Sequence, residues 1–456
     1  MRAVHALAVV VAGQSALLLR IGWLYLRPDH VPTDMQSGFA VADGAADAIH
    51  VDAILNPGAH TEANATDEAV GHHHTGQVRV WPEEGRDREV CGSDWQDAYA
   101  KLHARLVEDG TRTPAQQRVP VRIAVFDCRV GNGGLADRLI GLMTVLLVSI
   151  LTDRALVINW PGHEEVLMSP RLHLTALLAQ AQQAPPHEVR QIRWLQGNRL
   201  KLQQQTETDL DLLWPERVLV FQSNRGFTQQ LLSSQIHKHA AANRHLTPET
   251  AQFGCLLNFL LRPTKAAFAE FEPLRLAMSA PQQYLIGLHI RTGDSAFTAR
   301  GDSTTASSEA AGARLYAQFQ FMFDFALELG ATQSLPVQLL LLGDSTPLRE
   351  YAAQKHPDLI LTSHASIGHV ARKAASLSHA VVEHWLFSGC DAFVYSSHSG
   401  FPRTAAVRSL LLDSIYTCFH YEGPLFSEQQ GKPRPKRECT GPYTVYQLGD
   451  RHAAGL

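Results

Sequence analysis

The residues best suited to bind a charged ligand stand in the segment 284–294, where an apolar run of strand-forming residues gives way to polar ones. The run breaks at a threonine–glycine pair, which predicts a buried strand that delivers His289, Arg291 and Asp294 to its carboxyl end. In open α/β sheets ligands bind at that edge. The guanidinium of Arg291 offers a planar fork of donors suited to two phosphate oxygens. An ion pair between Arg291 and Asp294 that only holds a turn is the alternative.

A second polar segment, Ser396 to Phe401, follows a predicted strand at 392–395 and leads into a helix that runs through Arg408. Backbone N–H groups at a helix N-terminus favour an anion. A cluster that merely caps the helix is the structural alternative. Because Arg291 and this segment would both lie at the carboxyl ends of strands in one domain, together they predict a pyrophosphate clamp.

Glu383 is a half-buried carboxylate by pattern, on the predicted helix that precedes the strand at 392–395. A buried carboxylate is costly unless it is paired. It could accept two hydrogen bonds from the N1–H and N2–H edge of a guanine. A salt bridge to Arg372 or Lys373 is the alternative.

A glycine-rich loop follows the first predicted strand and precedes an apolar helix at 135–151. Its Gly131-x-Gly133-x-x-Ala136 spacing matches the dinucleotide fingerprint and suggests an NAD-dependent oxidoreductase. That fingerprint requires an acidic residue at the end of the next strand, whereas here the strand ends in Asn159. The fingerprint is therefore incomplete.

Charged and polar groups near this loop suggest a polar substrate instead. Asp137 and Arg138 stand at the start of the helix, and a dinucleotide site does not need them. Asn224 and Arg225 form another polar cluster where the predicted strand at 217–222 ends. We expect these four residues to contact that substrate, which is the acceptor if the reaction is a group transfer.

Strands and helices alternate along most of the chain after residue 90. The predicted strands are 121–126, 155–159, 217–222, 337–342, 359–361 and 392–395, besides the one that begins at residue 284. The predicted helices are 91–110, 135–151, 247–262, 264–278, 312–329, 346–355 and 372–387, besides the one that runs through Arg408. The region 168–211 is predicted to be irregular. Alternation on both sides of a junction near residue 280 predicts two doubly wound Rossmann-like α/β domains facing a cleft, at 90–280 and 281–456.

The N-terminal segment 3–26 is largely apolar and just long enough to span a bilayer. It predicts a membrane anchor within residues 1–30, although Arg20 near the membrane centre costs about 2.5–3.5 kcal/mol. A cleaved signal segment is the alternative, but no A-x-A cleavage site follows. Residues 31–89 predict a flexible stem, with a glycosylation sequon at Asn64. The remainder is expected in a secretory lumen.

The formal net charge of −4 over 456 residues gives no basis for nucleic-acid binding, so an anionic ligand must be held by a local site. The six cysteines show no metal-ligand spacing, which makes zinc unlikely. An even number is compatible with disulfides in the secretory pathway, and Cys418 with Cys439 is the first candidate pair. Cys128, Cys255 and Cys390 lie in apolar segments typical of buried reduced thiols.

Several motifs together carry a family resemblance. They are His289 to Asp294, Leu342 to Ser345, Glu383 through Phe401, Gly134 to Arg138, Leu151 to Ile158, and Cys418 to His420 with Cys439. The set resembles the GDP-fucose-dependent fucosyltransferases with the GT-B fold, and its first half looks like the plant xyloglucan fucosyltransferases. The resemblance implies a type II Golgi enzyme with a lumenal catalytic region, which agrees with the predicted anchor and stem. Acceptor and linkage stay open, because the plant pattern has Asn where this chain has Asp137.

The resemblance also implies roles for individual residues. His289 would contact the nucleotide, Arg291 the pyrophosphate and Glu383 the guanine, while Ser399 and Gly400 would present phosphate-side backbone. The implied reaction is an inverting transfer of fucose from GDP-fucose to a glycan or glycoprotein hydroxyl. Arg291 and the helix N-terminus would stabilise the leaving pyrophosphate without a metal or other cofactor.

The general base and two other functions remain open at this point. Asp294 is the candidate base because it follows Arg291 on the same loop, with Asp302 in reserve. The pair Asp209 and Asp211 resembles a metal-binding DxD motif, but it follows a glutamine-rich run rather than an apolar strand. The alternatives to transfer are an NAD-dependent oxidoreductase using the Gly131 loop and a non-catalytic glycan-binding relative.

Overall fold

The computed structural model describes residues 90–112, 120–129, 133–194, 204–280, 282–292, 305–365, 374–397, 399–419 and 437–442. All of them belong to one compact unit that begins at His73. The predicted anchor and stem, together with Gly131, Asp294 and Asp302, lie outside these residues. No helix in the described ranges has the length and apolarity that a membrane span requires.

The strands are β1 (Ile123–Asp127), β2 (Ala155–Asn159), β3 (Leu167–Met168), β4 (Val189–Trp194), β5 (Val218–Ser223), β6 (Arg262–Pro263), β7 (Tyr284–Ile290), β8 (Val337–Gly343), β9 (Ile360–Thr362), β10 (Ala392–Ser396), β11 (Ile415–Phe419) and β12 (Glu438–Thr440). The helices are α1 (Asp94–Thr111), α2 (Leu135–Leu151), α3 (His163–Val166), α4 (Leu178–Gln182), α5 (Leu210–Leu213), α6 (Thr228–Ser233), α7 (Lys238–Ala242), α8 (Phe253–Leu260), α9 (Lys265–Phe268), α10 (Glu272–Met278), α11 (Thr305–Ala331), α12 (Thr346–Lys355), α13 (Ala374–Ser388) and α14 (Gly400–Arg408). Short 3-10 helices cover Pro186–Glu188, Ala269–Phe271 and Leu412–Ser414.

The first sheet has four parallel strands in the order β2-β1-β5-β4. Every residue of β1 is buried, because apolar side chains cover both faces of the sheet. Ile123 and Val125 pack toward α1 and α4, whereas Ala124 and Phe126 pack toward α2. A strand buried on both faces is typical of a parallel sheet.

The second sheet has six strands in the order β12-β11-β10-β7-β8-β9, and only β12 is antiparallel. Ile286 and Leu288 face α11 and α12, while Leu285 faces the layer formed by α13 and α14. Two mainly parallel sheets with helices on both faces confirm the predicted α/β class. The assignment of separate domains at 90–280 and 281–456 stays a prediction.

Each large sheet has a point at which the strand order changes direction. From β7 the chain adds β8 and β9 on one side, and then returns to add β10 and β11 on the other. In the first sheet β2 lies on one side of β1, and β5 and β4 lie on the other. At such a switch point neighbouring connections leave in opposite directions, which opens a crevice at the carboxyl ends of the strands. The crevices therefore lie between β7 and β10 and between β1 and β5.

A layer of helices joins the two sheets. One cluster of buried apolar side chains includes Leu142 of α2, Leu257 of α8, Phe387 of α13 and Ala406 of α14. The starts of α2 and α14 meet, since a Cβ atom built on Gly400 would lie 3.3 Å from the Cβ of Ala136. The segments that follow β1 and β10 are thereby brought together.

Several sequence-based boundaries were wrong. The region 168–211 contains β4, which alternates exposed and buried residues because it is an edge strand and therefore lacks an apolar run. The strands β11 and β12 were also missed. The helix expected from residue 247 begins at Phe253, since Thr247 and Thr250 bond to each other in a preceding turn. The helix expected at 264–278 is broken into α9, a 3-10 turn and α10, with Pro273 in the first turn of α10.

Two disulfides cross-link the chain. Cys418 bonds Cys439 and joins β11 to β12, which confirms the candidate pair. Cys255 was expected to be a reduced thiol, and this was wrong, because it bonds Cys91 and ties the segment before α1 to α8. Because the two cysteines are 164 residues apart, the sequence alone did not indicate this pair. Cys128 and Cys390 are buried and lie outside both disulfides.

Candidate active site

The carboxyl end of β7 positions His289 on the sheet face that looks toward α13 and α14. The imidazole meets Phe387 edge to face at 6.2 Å between ring centroids, and Phe401 at 5.5 Å. Gly287, two residues earlier on the same face, leaves room for Phe387, since a Cβ there would lie 2.8 Å from that ring. The alternation of β7 thus fixes the imidazole beside the start of α14.

His289 is a neutral imidazole with an unsatisfied nitrogen. Its side chain is buried, and Nδ1 has no hydrogen-bond partner within the described part of the chain. Burial, together with the nearby charges of Arg291 and Arg349, lowers the pKa of His289 to about 3. A buried polar nitrogen without a partner costs about 1–3 kcal/mol, so a ligand that bonds it is favoured.

Arg291 stands directly after β7 and is anchored by its backbone. Its amide N–H donates to Oγ of Ser396 at the end of β10 over 3.1 Å, which links the two strands of the switch point. Nη1 lies 4.0 Å from Oδ2 of Asp344, and 35% of the Arg291 side chain is exposed. The partly exposed guanidinium therefore lies at the carboxyl edge of the second sheet, beside Asp344.

Asp344, at the end of β8, holds the turn that carries Arg291. Its Oδ1 accepts hydrogen bonds from the backbone N–H of Thr292 at 2.6 Å and from Thr292 Oγ1 at 2.8 Å. Asp344 is buried, and the sequence analysis gave it no role in the site. Its position immediately after an apolar strand was the available signal. The alternative of an ion pair between Arg291 and Asp294 is not tested, because Asp294 lies outside the described residues.

The start of α14 presents backbone donors next to Arg291. Ser399 is the N-cap residue and is buried, but its side chain makes no capping hydrogen bond. The Oγ of Ser397 is likewise buried without a partner among the described residues. The first-turn N–H groups of this nine-residue helix, which begins at Gly400, thus lack a side-chain cap. Positive helix-dipole charge and open donors at this point favour an anion.

Glu383 forms a buried ion pair whose partner the sequence analysis missed. Its Oε1 lies 2.8 Å from Nη1 of Arg349, with side-chain exposures of 13% and 2% respectively. Arg349 also donates from Nη2 to the carbonyl of Ala365, while its Nε is buried without a partner in the described ranges. The proposed alternatives Arg372 and Lys373 lie outside the described residues. No second contact involves Oε2 of Glu383 among the described residues, which leaves an acceptor for a ligand.

The predicted acceptor-side residues at the start of α2 are held by local contacts. Oδ2 of Asp137 accepts from the N–H of Gly134 at 3.0 Å and caps the helix, while the side chain stays exposed. Arg138 is buried, donates from Nε to the carbonyl of Gly133, and lies 5.1 Å from the ring centroid of Trp160. Both side chains therefore have structural partners at the carboxyl edge of the first sheet.

Asn224 and Arg225 follow β5, and the turn that contains them contacts α2. A Cβ on Gly141 would lie 2.1 Å from the carbonyl oxygen of Ser223, so the helix passes very close to this turn. Thr144 of the same helix donates to the carbonyl of Arg225 at 2.9 Å. The Oδ1 of Asn224 is buried without a partner within the described residues. These residues lie along α2 within two turns of Arg138.

The aspartates considered for metal binding have other uses. Asp209 caps α5 by accepting from the N–H groups of Asp211 and Leu212, and Asp211 pairs with Arg122. Across the described ranges, no group of three or more His, Cys, Asp or Glu side chains is placed to hold a metal ion. At the end of β2, the amide of Asn159 donates to Asp127, so this strand ends in an amide and not in the acidic residue of the dinucleotide fingerprint.

Comparisons with known proteins found similar solved structures. No family model and no curated protein sequence matches. A mutant of FUT1 from Arabidopsis thaliana in complex with GDP matches with 12% identity and a TM-score of 0.49, over 73% of this chain and 79% of that one. The NodZ α-1,6-fucosyltransferase co-crystallised with GDP matches with 15% identity and a TM-score of 0.40, over 65% and 94% of the two chains.

POFUT1 in complex with GDP is a third similar structure, with 13% identity and a TM-score of 0.36 over 63% of this chain and 94% of that one. NodZ is named as a fucosyltransferase, which is the class that the sequence motifs resemble. Because these TM-scores are below 0.5, the fold assignment rests on the strand order and register described above.

Proposed function

We propose that this chain is a glycosyltransferase that transfers fucose from GDP-fucose to a hydroxyl of a glycan or glycoprotein, with inversion at the anomeric carbon. The observation that carries the proposal is the set of groups at the switch point of the second sheet. A half-exposed guanidinium, a helix N-terminus without a side-chain cap, and the unsatisfied atoms His289 Nδ1 and Ser397 Oγ lie there together. A pyrophosphate and its nucleoside would bond to these groups together.

Glu383 supports a guanine rather than another base. Its Oε1 is taken by Arg349, and Oε2 remains to accept from the N1–H and N2–H edge. Arg349 holds this carboxylate in place. The motif resemblance to GDP-fucose-dependent enzymes points to the same donor.

The chemistry follows from charge. An acceptor hydroxyl attacks the fucose anomeric carbon in line, the bond between that carbon and the phosphate oxygen of GDP breaks, and GDP leaves with the electron pair. Arg291 and the N-terminus of α14 stabilise the negative charge that develops on the pyrophosphate, so no divalent cation is required. Asp294 takes the proton of the acceptor hydroxyl in this proposal.

The same proposal places the enzyme in an oxidising compartment. Disulfides persist in the secretory pathway, and the two disulfides support this location. We extend the proposal to a Golgi membrane protein, anchored through the segment 3–26 with its catalytic region in the lumen.

The test is donor use by the full-length chain with a panel of GDP- and UDP-sugars and glycan acceptors. We expect transfer from GDP-fucose, unchanged by EDTA. Arg291→Ala should lower kcat/KM about 10²–10³-fold, as loss of a charge-stabilising donor does elsewhere. Arg244→Ala is the matched control, because Arg244 pairs with Asp153 on the turn before β2, at the opposite edge of the first sheet. Transfer only from another donor, or full activity in Arg291→Ala, contradicts the proposal.

A further inference from the structure

A second polar cluster lies at the carboxyl edge of the first sheet. Asp127, the last residue of β1, is 2% exposed. Its carboxylate accepts from Nε and Nη2 of Arg129 at 2.8 and 2.9 Å. The amide of Asn159 donates at 3.1 Å, and that of Gln222 approaches at 3.5 Å. Side chains from β1, β2 and β5 thus converge on one carboxylate.

This carboxylate stands at the switch point between β1 and β5. Asp127 is opposite Asn159 in the register of β1 and β2, and Gln222 is the penultimate residue of β5. The crevice at a switch point is where open α/β sheets bind ligands. The donor site proposed above occupies the corresponding point of the second sheet and does not use Asp127 or Arg129.

Both partners of the Asp127–Arg129 pair are charged. Burial by itself would raise the pKa of Asp127, but the hydrogen bonds and charge of Arg129, with the amide of Gln222, lower it below its ordinary value. The hydrogen bond and charge of Asp127 in turn raise the pKa of Arg129. The cost of burying the carboxylate is offset by charge-assisted hydrogen bonds.

The pair is asymmetric in exposure. The Asp127 side chain is 2% exposed, whereas that of Arg129 is 57% exposed. The carboxylate of Asp127 accepts hydrogen bonds from Nε and Nη2 of Arg129, and Nη1 of Arg129 has no partner among the described residues. The rigid guanidinium therefore presents its remaining N–H groups to solvent in a fixed direction.

The cluster lies on the same side of the molecule as the donor site. The segment after β1 leads into α2, and the segment after β10 leads into α14. The two helices meet at their first turns, where Ala136 approaches Gly400. The carboxyl ends of β1 and β10 thus each precede a helix that starts at this contact.

We propose that Arg129, held in place by Asp127, binds hydroxyl oxygens of the acceptor saccharide. This inference rests on the proposed transferase function. The spacing of two adjacent sugar hydroxyl oxygens matches that of two neighbouring guanidinium N–H groups. An uncharged polyol needs only hydrogen-bond donors at this point. Asp127 acts as a positioning residue through Arg129, with Asn159 and Gln222 fixing its carboxylate.

The test separates acceptor binding from donor chemistry in the full-length enzyme. Release of GDP from GDP-fucose is measured with water alone, and with neutral oligosaccharides that end in galactose, glucose, xylose or N-acetylglucosamine. Arg129→Gln should raise the KM for the stimulating oligosaccharide about 10–100-fold, the effect of losing roughly 1.4–2.8 kcal/mol of charged hydrogen bonding. The rate of GDP release to water and the Kd for GDP should not change.

Positioning by Asp127 is tested with two more variants. Asp127→Asn should raise the same KM, because its amide cannot hold Nε and Nη2 together, whereas Asp127→Glu should recover part of the affinity. Arg244→Gln is the matched control, since Arg244 also donates from Nε and Nη2 to one carboxylate, that of Asp153. This pair lies at the opposite edge of the sheet. The KM of this control variant should equal that of the wild type.

The outcomes are distinct. If GDP-fucose is neither bound nor hydrolysed by the wild type, the proposed function fails. If it is hydrolysed but no oligosaccharide of the panel speeds GDP release, the saccharide assignment of this edge is overturned. If Arg129→Gln leaves the KM unchanged, or raises it together with loss of GDP binding, Arg129 is not an acceptor contact.

Discussion

Glu383 and Arg349 form the most buried ion pair of the candidate site. Arg349 is 2% exposed, and its charge contributes to the lowered pKa of His289. Breaking such a pair by removing one partner leaves a buried charge uncompensated. Arg349 and Glu383 stand on α12 and α13 respectively. The ion pair therefore couples the orientation of the Glu383 carboxylate to the stability of these two helices.

We expect Arg349→Met to lower the free energy of unfolding by about 3–5 kcal/mol, because it strands the Glu383 carboxylate. The measurement is urea denaturation followed by circular dichroism. Arg112→Met is the control, since Arg112 pairs with Glu108 at 43% and 68% side-chain exposure and its replacement should cost much less. Equal losses in both variants would show that burial does not set the strength of the pair.

The sequence was enough to single out Glu383 but not its partner. A carboxylate among apolar helix positions is visible in the chain itself, whereas Arg349 lies 34 residues away on another helix. Asp344 and the Asp127 cluster were missed for the same reason. Polar residues at strand ends become interpretable only when the strand order shows which ends are neighbours.

Among the elements, α2 connects the most features. It starts beside Gly400, passes over the turn after β5 at Gly141, and contributes to the shared core. The apolar run 135–151 predicted its bounds correctly, as the run 155–159 did for β2. The edge strand β4 was missed because only half of its residues face the core. Long apolar runs are therefore readable from sequence, and half-exposed edges are not.

Gly141→Ala should destabilise the protein by about 1–3 kcal/mol, the usual cost of overpacking. The added methyl would meet the carbonyl oxygen of Ser223 at 2.1 Å, and a backbone atom cannot rotate away. Gly134→Ala, in the same helix region, is the control, because the nearest atom to its Cβ is 4.0 Å away. Thermal unfolding of the two variants checks this; a Tm for Gly141→Ala equal to that of Gly134→Ala would contradict the close approach.

At the scale of the whole molecule, buried histidines should make stability depend on pH. Within the described ranges, five buried histidines have lowered pKa values, with burial as the largest cause: His103, His163, His237, His289 and His384. In the unfolded chain they protonate near pH 6.5, while in the folded chain they stay neutral to lower pH. Their stabilising contribution is therefore present above pH 6.5 and is lost as the pH falls below it.

Urea denaturation at a series of pH values tests this dependence. Between pH 6 and 5 the free energy of unfolding should fall by more than about 1.4 kcal/mol per pH unit, which corresponds to uptake of more than one proton on unfolding. For His289 the window extends down to its folded-state pKa of about 3. A free energy that is constant from pH 6.5 to 5 would contradict the burial of neutral imidazoles.

The helix layer between the two sheets has a consequence for protein engineering. Because α2, α8, α13 and α14 contribute to one apolar cluster, each sheet depends on the other to cover its inner helices. A chimaera joined near residue 280 would pack α2 of this chain against the α14 of another protein. The apolar side chains of the two helices would then not be complementary in shape. The unit that can be exchanged between related enzymes is therefore not one sheet with its helices, but the loops at the carboxyl edges, which can vary while this shared layer stays intact.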